Sequence, residues 1–373
     1  MKWMFWIAAT WIGYSYLGYP VWLWLRSRWS PRPVRRSQEK PAVSAVMVVR
    51  NEEAIVARKL ENLLALDYPE ARLEVVVVSD GSSDGTGAIL ERFAGSGRVR
   101  MLVKPASQGK AAGLNDALRL ASGDVLLFTD ARQQIEPAAL RRLIENFGDP
   151  EVGAASGELM LGDPATGETG KGMGLYWRIE KKIRDLESAS GSVVGATGAI
   201  YCARRRLCVP LPEGTILDDV LLPMQVVRQG ARVIFDPRAR AWDSPDLGGS
   251  REFARKVRTL NGNYQLLQLA PWLLSSKNPI RFEFISHKLS RLAVPFALLL
   301  LLVASLFLPQ PLYRAVLIAQ LVLYGLSLAT IAGVKIGPLA RIADPARTFV
   351  VLNCAALVAF LNFVTGRKAV WVR

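Results

Sequence analysis

The hydrophobic residues of this chain concentrate at its two ends. Four long segments there carry no charge: residues 3–25, 292–313, 315–334 and 348–366. Because a helix rises about 1.5 Å per residue, each segment is long enough to cross the ~30 Å hydrocarbon core of a bilayer. We therefore predict an N-terminal transmembrane anchor at residues 1–25 and about three C-terminal transmembrane helices within residues 292–366.

The first apolar segment has the position of a secretory signal peptide but not its sequence. It contains Pro20, and arginine and tryptophan follow it instead of a small-residue cleavage site. We interpret it as a retained anchor, with a helix lying in the membrane surface as the alternative.

Between the apolar ends, short runs rich in valine and leucine alternate with amphipathic stretches. The pattern predicts strands at residues 43–49, 73–80 and 124–130, and helices at residues 53–66, 84–94 and 109–121. This alternation is typical of a mostly parallel sheet with helices on both faces. The fold class is therefore α/β, with a Rossmann-like domain.

Composition and charge divide the rest of the chain. Residues 26–41 form a basic, Pro-rich linker, residues 42–250 the α/β domain, and residues 251–291 amphipathic helices at the membrane interface; one further helix is predicted near residues 171–188. Arginines crowd the linker, and positive residues that flank a span stay in the cytoplasm. We therefore expect an inner-membrane, multi-pass protein with a cytoplasmic domain.

The net charge of +15 and the pI near 10 raise the question of nucleic acid. The sequence has no zinc-finger spacing, heptad or aromatic RNA-binding signature, so nucleic acid is not an expected partner. Membrane lipids with anionic headgroups, together with an anionic cofactor, explain the charge more simply. The sequence leaves the oligomeric state open.

The three cysteines are not spaced as metal ligands, and His287 is the only histidine. A Cys/His metal site is therefore excluded, and any metal must be held by oxygen ligands. For His287 we expect a structural role at the interface, with a role as an additional metal ligand as the alternative.

Polar clusters follow three predicted strands: "RNEE" (50–53), "SDGSSDGT" (79–86) and "TDAR" (129–132). In open parallel sheets, ligands bind beyond the carboxyl ends of the strands. Asp80 and Asp130 are therefore candidate ligand contacts, although Asp130 could instead cap the following helix. The chain lacks G-x-G-x-x-G after the first strand and lacks a GK[ST] loop, which disfavours dinucleotide and P-loop sites.

Two further clusters carry charges suited to catalysis. Asp218 and Asp219 open a predicted helix, where they could be dipole-stabilised charges or include a general base. Arg255 and Arg258 lie one turn apart beside Lys256. Such a basic helix either faces lipid or clamps a diphosphate leaving group.

Several ordered stretches within residues 41–269 resemble family-2 glycosyltransferases, which are inverting enzymes with a GT-A fold, and in particular the membrane-integrated ones. The matching stretches are "VSAVMVVRNEE", "VVVVSDGSSDGT", "QGKAAGLNDAL", "ASGDVLLFTDA", "VVGATGAIYCARR" and "LDDVLLPMQVVRQGARVIFDPRARAW".

The resemblance implies a role for each candidate residue. Asp80 would contact uracil, Asp130 the ribose or a Mg²⁺ or Mn²⁺ ion, and Lys110 lies in the donor-site stretch. Asp219, rather than its neighbour Asp218, would deprotonate the acceptor hydroxyl. Gly198 lies in the acceptor-side loop. The donor-site arginines are Arg132, Arg255 and Arg258, and Arg258 would meet the diphosphate.

This sequence departs from the family at two motifs. The usual D-x-D reads Asp130-Ala131-Arg132, and the Q-x-x-R-W of polysaccharide synthases keeps only Arg258. A departing diphosphate needs positive charge from a metal or from fixed cations. Our hypothesis is that Arg132, with the cations of residues 255–258, partly replaces the ion. The alternative keeps Mg²⁺ or Mn²⁺ on Asp130, with Arg132 pointing elsewhere.

Together these features predict transfer of a sugar from a nucleotide sugar, UDP-linked by the resemblance, to a lipid-linked or glycan acceptor. The alternatives are a short-chain polysaccharide synthase and an inactive, nucleotide-sugar-binding membrane subunit. The topology holds one conflict: three C-terminal spans put the C-terminus outside, whereas Arg367, Lys368 and Arg373 favour the inside. Either one apolar segment does not cross the membrane or the tail violates the charge bias.

Overall fold

The computed structural model describes residues 1–95, 97–162, 175–244, 249–334 and 340–367. Its centre is a mixed sheet of eight strands in the spatial order β3-β2-β1-β4-β7-β6-β8-β5. The strands are β1 (Val43–Val49), β2 (Leu73–Asp80), β3 (Val99–Lys104), β4 (Val125–Phe128), β5 (Gln134–Ile135), β6 (Val152–Leu161), β7 (Tyr201–Arg204) and β8 (Arg232–Asp243).

One set of helices packs around this sheet, and a second set lies in the N-terminal and C-terminal parts of the chain. In the α/β part they are α3 (Val56–Leu64), α4 (Thr86–Ala94), α5 (Lys110–Leu120), α6 (Ala139–Glu145), α7 (Leu175–Ser190) and α8 (Asp218–Arg228). The others are α1 (Lys2–Gly13), α2 (Tyr19–Trp29), α9 (Gly249–Leu269), α10 (Arg281–Phe284), α11 (Ser290–Phe307), α12 (Pro311–Ile331) and α13 (Ala340–Val364). A π-helical turn, Tyr14–Gly18, joins α1 to α2, and another, Ile285–Leu289, joins α10 to α11.

The Rossmann-like α/β prediction is confirmed. Strands β1 and β2 have the predicted bounds and pair in parallel, and β4 pairs in parallel with β1 on its other side. One hydrophobic core lies between the sheet and α3 and α6, and a second lies between the sheet and α5 and α8. Valine-rich strands form here because both of their faces are buried.

The second half of the sheet departs from the parallel pattern. Strand β7 runs antiparallel to β4 and to β6, and β5 runs antiparallel to β8. Phe128 at the end of β4 is paired with Tyr201 at the start of β7, and their rings stack with centroids 4.5 Å apart. This pairing brings the loop after β4 beside the loop before β7.

Within the part of the chain that the structure describes, three helices are long and apolar enough to cross a membrane: Arg281–Phe307, Pro311–Ile331 and Ile342–Val364. Helix α1 packs against α11, with the Trp11 Nε1–H donating to the Ser290 carbonyl at 3.0 Å.

Of the helix predicted near residues 171–188, positions 171–174 lie outside the described residues. The structure gives the remainder as α7.

His287 is buried in a group of polar contacts, as a structural role would require. It is 1% exposed, with Nδ1 2.8 Å from a Glu187 oxygen and Nε2 3.0 Å from a Glu180 oxygen. The Tyr19 hydroxyl donates to Glu187 at 2.6 Å, and Arg291 donates to Glu180 at 2.7 Å. This cluster, which we call the histidine network, joins the N-terminal helices, α7 and the start of α11.

Candidate active site

Three segments far apart in the sequence bring a lysine and three aspartates together at the carboxyl end of the sheet. The Lys110 ammonium lies 2.8 Å from Asp130 Oδ1 and 3.1 Å from Asp218 Oδ2. Asp130 comes from the loop after β4, Asp218 opens α8, and Lys110 opens α5. Gly109, with φ of +92°, makes the turn that places Lys110 at the start of its helix.

Asp219 is the fourth member of this cluster. Its Oδ2 accepts a hydrogen bond from the Gly198 N–H at 3.2 Å, and its backbone carbonyl accepts one from Ala196 at 2.7 Å. Burial, followed by repulsion from Asp218, raises the pKa of Asp219 to about 6. A carboxylate with this pKa can accept a proton near neutral pH, as a general base must.

Lys110 keeps its positive charge in this environment. Burial alone would lower the pKa of Lys110, but Asp130, Asp218 and Asp219 together raise it above its usual value. The cluster therefore holds a fixed cation between the carboxylate of Asp130 and those at the start of α8. This arrangement links the loop after β4 to the start of α8.

Gly198 lies where a side chain would meet two of these carboxylates. A Cβ atom built there would be 3.3 Å from Asp130 Oδ2 and 3.5 Å from Asp219 Oδ2. Glycine at this position therefore leaves space between them. The alternative role of Asp130 as a helix cap is not observed, because α6 begins at Ala139 without a side-chain cap.

Asp80 lies on the same edge of the sheet but is 2% exposed. Its carboxylate accepts hydrogen bonds from Ser107 Oγ at 2.6 Å and from the backbone N–H groups of Gln108 and Gly109 at 2.9 and 2.8 Å. Burial would raise the pKa of Asp80, but these hydrogen bonds lower it below its usual value. In this structure the carboxylate holds the loop that leads to Lys110.

Arg132 points toward the end of β8. Its guanidinium donates to Asp243 Oδ2 at 2.6 Å, and Gln133 Nε2 donates to the same oxygen at 3.1 Å. Asp243 is 4% exposed, so the ion pair is partly shielded from water. This position agrees with the alternative in which Arg132 points elsewhere.

Four basic side chains, those of Arg132, Arg255, Lys256 and Arg258, were expected to converge on the diphosphate site, and only Arg258 lies at the cavity that Lys110 lines. Arg258 lines a cavity of about 430 Å³ that Lys110 also lines. Lys256 is paired with Glu252 on its own helix, and Arg255 is exposed. Arg258 therefore lines the same cavity as Lys110, whereas Arg132, Arg255 and Lys256 are not among the residues that line it.

Lys59 is a site residue that the sequence did not reveal. It is 2% exposed, and its ammonium donates to Thr129 Oγ1 at 2.8 Å and to the Gln133 carbonyl at 2.6 Å. Burial lowers the pKa of Lys59 to about 7. These bonds fix both ends of the loop that carries Asp130 and Arg132. The only sequence signal is a lysine on the apolar face of α3.

A divalent ion would find one exposed carboxylate here. The Asp130 side chain is 41% exposed, while the described residues contain no group of three His, Cys, Asp or Glu side chains that could hold a metal. Mg²⁺ is commonly bound by one or two carboxylates together with substrate phosphates. The site therefore fits a metal only jointly with a phosphate-bearing ligand.

The chain is similar to known glycosyltransferases. Residues 44–207 match the model of Glycosyl transferase family 2. A β-monoglucosyldiacylglycerol synthase of Synechocystis is 29% identical over 192 residues, which cover 50% of this chain and 40% of that protein. A poly-β-1,6-N-acetyl-D-glucosamine synthase of Staphylococcus aureus is 24% identical over 254 residues, 65% of this chain and 60% of the relative. The match thus spans about half the length of these relatives.

A solved structure extends the likeness to nearly the whole chain. It is a mannosyltransferase from Pyrobaculum calidifontis in complex with GDP-Man and Mn²⁺, with a TM-score of 0.72 and 22% identity. The superposition covers 98% of this chain and 100% of that one. At this identity the likeness shows the fold, and it confirms the GT-A prediction.

Proposed function

We propose, on the match of residues 44–207 to the model of Glycosyl transferase family 2, that this chain transfers a sugar from a nucleotide sugar to a lipid-linked or glycan acceptor at a membrane surface. The observation that carries the proposal is the position of Asp219. A carboxylate with a pKa of about 6 faces a lysine–aspartate pair at the carboxyl end of the sheet. A transferase that inverts the anomeric carbon needs one such base.

The proposed chemistry is a single displacement. Asp219 takes the proton from the acceptor hydroxyl, whose oxygen attacks the anomeric carbon from the side opposite the leaving group. The bond between that carbon and the diphosphate oxygen breaks, and the nucleoside diphosphate leaves with the bonding electrons. The configuration at the anomeric carbon is inverted.

Charge developing on the leaving diphosphate requires nearby cations. Lys110 and Arg258 line one cavity beside Asp130 and supply fixed positive charge. Asp130 would hold Mg²⁺ or Mn²⁺ jointly with the phosphates, and the ion would add Lewis-acid stabilisation of the diphosphate. Arg132 is engaged by Asp243, so we assign it to positioning of the Asp130 loop.

We propose a UDP-sugar as the donor on the basis of the stretch "VVVVSDGSSDGT". Asp80 is the nucleobase contact in this proposal. An ionised carboxylate has about four acceptor positions, of which the 107–109 loop uses three. The Lys104 ammonium lies 3.6 Å from the same carboxylate, and Asp80 is 2% exposed, so a base would reach Asp80 only if this loop moved.

The acceptor is proposed to come from the membrane side. The three apolar helices and the basic linker favour a membrane-attached protein with its α/β domain in the cytoplasm. Relatives named for glycolipid and for polysaccharide synthesis agree with either a lipid-linked or a glycan acceptor. An active site held at the bilayer would meet such an acceptor by diffusion within the membrane plane.

A panel of radiolabelled nucleotide sugars incubated with membranes containing the full chain tests this function. Label should enter the lipid extract or a polymer with one donor. Asp219→Asn should remove transfer while UDP binding persists, whereas Asp124→Asn, on an exposed residue before β4, should transfer normally. Undiminished transfer by Asp219→Asn would refute the assigned base.

A further inference from the structure

Helices α1 and α11 pack against each other and define two ends of the membrane part. Trp11 bonds to Ser290 next to the histidine network, and we call this the near end because the α/β domain attaches there. At the far end, the ring of Phe5 lies 4.6 Å from that of Tyr313, at the start of α12. A helix that crosses the membrane must run from one end to the other.

The ring and hydrogen-bond contacts of α13 with other helices lie at the near end, and α13 also packs against α9, α11 and α12. Near its middle, the ring of Phe349 lies 5.4 Å from that of Tyr16, which also bonds to Asn353. Further along, Phe360 lies 5.0 Å from Phe296 of α11, and Phe363 lies 5.4 Å from Tyr264 of α9; Ala359 packs with Leu292. From Phe349 to Phe363 a helix rises about 21 Å, so a crossing helix would have left the near end.

The last turn of α13 reaches the active-site cavity. Its wall is shared by four parts of the chain, represented by Lys110, Thr215, Arg258, and the group Asn362, Phe363 and Arg367. Lys110 is the residue that contacts Asp130, so this wall adjoins the proposed reaction centre. The end of α13 therefore lies on the same side as the α/β domain.

We propose that α13 lies along the membrane surface instead of crossing it, and that Arg367 at its end binds phosphate oxygens of a substrate in this cavity. The inference deepens the proposed transferase function and rests on it. It also removes the conflict between three C-terminal spans and the basic residues that follow them. With α11 and α12 crossing as a hairpin, Arg367 stays on the cytoplasmic side, as the charge bias expects.

The chemistry of the cavity selects a phosphate. Three cationic residues line it, Lys110, Arg258 and Arg367, and none of its described lining residues is acidic. Lys110 is also paired with Asp130 and Asp218. Asn and Gln side chains supply further hydrogen-bond donors. In a sugar transfer from a nucleotide, phosphate groups are the anions available, and arginine binds them in a two-pronged geometry. The phosphate could belong to the nucleotide donor or to a lipid acceptor.

The position of α13 is tested by labelling single cysteines in the full chain after its three native cysteines are replaced by alanine. Thr365→Cys reports on the end of α13, Glu91→Cys on the α/β domain, and Gln310→Cys on the connection between α11 and α12. A membrane-impermeant maleimide should label positions 365 and 91 in the same type of sealed vesicle and position 310 in the opposite type. Labelling of position 365 together with position 310 would overturn the placement.

The role of Arg367 is tested by Arg367→Gln, with Arg347→Gln on the same helix as the matched control. Loss of one charge-assisted contact should lower the affinity for the affected substrate about tenfold. Arg367→Lys keeps the charge, so its affinity should fall less. Weaker binding of UDP alone would assign the phosphate to the donor. A higher KM for the acceptor with unchanged UDP binding would assign it to the acceptor. If neither quantity changed in Arg367→Gln, the binding role would be refuted.

These outcomes are separable from the fate of the proposed function. Cysteine labelling requires no catalysis, and UDP binding requires no acceptor. If the unmodified chain transferred no sugar with any donor, the function would fail, while labelling would still decide where α13 lies. Normal transfer with position 365 on the far side would instead leave the function intact and remove this inference.

Discussion

The ammonium of Lys110 lies 2.8 Å from the carboxylate of Asp130, and it also lies 3.1 Å from that of Asp218. One side chain thus joins the loop after β4 to the start of α8, where Asp219 follows Asp218. Asp219 helps to raise the pKa of Lys110, and Lys110 in turn lowers the pKa of Asp219. The pH and mutational behaviour of the site follows from this coupling.

Asp219 should set the acid limb of the pH–activity profile. Because its pKa is raised to about 6, the carboxylate is protonated below this pH and cannot accept a proton. We expect kcat/KM to fall about tenfold per pH unit below about pH 6 and to level off above it. Stopped-time transfer assays from pH 4.5 to 8.5 measure this limb, and a flat profile there would exclude Asp219 as the base.

The same shift predicts the effect of Asp219→Asn on stability. A folded-state pKa above the unfolded value means that the neutral form fits the fold better, so stability from this group is lost as pH rises through about 6. Asp219→Asn should therefore be at least as stable as the unmodified chain at pH 7.5, although inactive. Thermal unfolding in detergent provides the measurement, and a markedly lower midpoint would contradict the prediction.

Replacing Lys110 with methionine should change both rate and pH dependence. Lys110 lowers the pKa of Asp219 by its charge, so its loss should move the acid limb to higher pH. We also expect transfer to fall by about 10² because fixed charge near the diphosphate is lost. Lys110→Arg should keep more of the rate and the original limb. An unshifted limb in Lys110→Met would show that the two groups are not coupled.

Gly198→Val should block the site without unfolding the domain. Even a Cβ atom would lie 3.3 Å from the Asp130 carboxylate, and the two methyl groups would fill the space between Asp130 and Asp219. We expect at least a tenfold loss of kcat/KM with a circular dichroism spectrum like that of the unmodified chain. The matched control is Gly87→Ala in α4, where a Cβ atom meets nothing within 4 Å. Equal activity of the two variants would show that a side chain at position 198 does not obstruct the space between Asp130 and Asp219.

Metal removal should distinguish the two interpretations of Arg132. Because Asp243 engages the guanidinium, we expect EDTA to abolish transfer and Mn²⁺ to restore it fully. Arg132→Ala should lower activity through the loop position but keep the same metal requirement. Residual transfer in EDTA that disappears in Arg132→Ala would instead show that the arginine replaces part of the ion.

The parts of the fold that were predictable from sequence depend on local pattern. Runs such as "VSAVMVV" have the length and composition of buried parallel strands, and β1 and β2 follow them residue by residue. The strand predicted at residues 124–130 ends earlier, at Phe128. There the Thr129 side chain bonds to the Ala199 carbonyl and to Lys59, so the chain leaves the sheet.

The parts that were not predictable depend on pairs distant in sequence. Strand β7 enters between β4 and β6 in the opposite direction, and no local feature of "YCAR" specifies that place. The partner of Arg132 is 111 positions away at Asp243. The sequence identified the charges of the site, whereas only the three-dimensional structure shows which of them neutralise one another.

The histidine network has a consequence for the geometry of the whole reaction. With His287 held between Glu180 and Glu187, and Tyr19 bonded to the second of these, the α/β domain is fastened to the membrane helices through buried polar contacts. Such contacts resist rocking, because separating them would expose unpaired charge. The active site would then stand at a fixed height above the lipid, and only acceptors whose hydroxyl reaches that height could react. Selectivity for the acceptor would then depend on the distance between its hydroxyl and the membrane as well as on its chemistry.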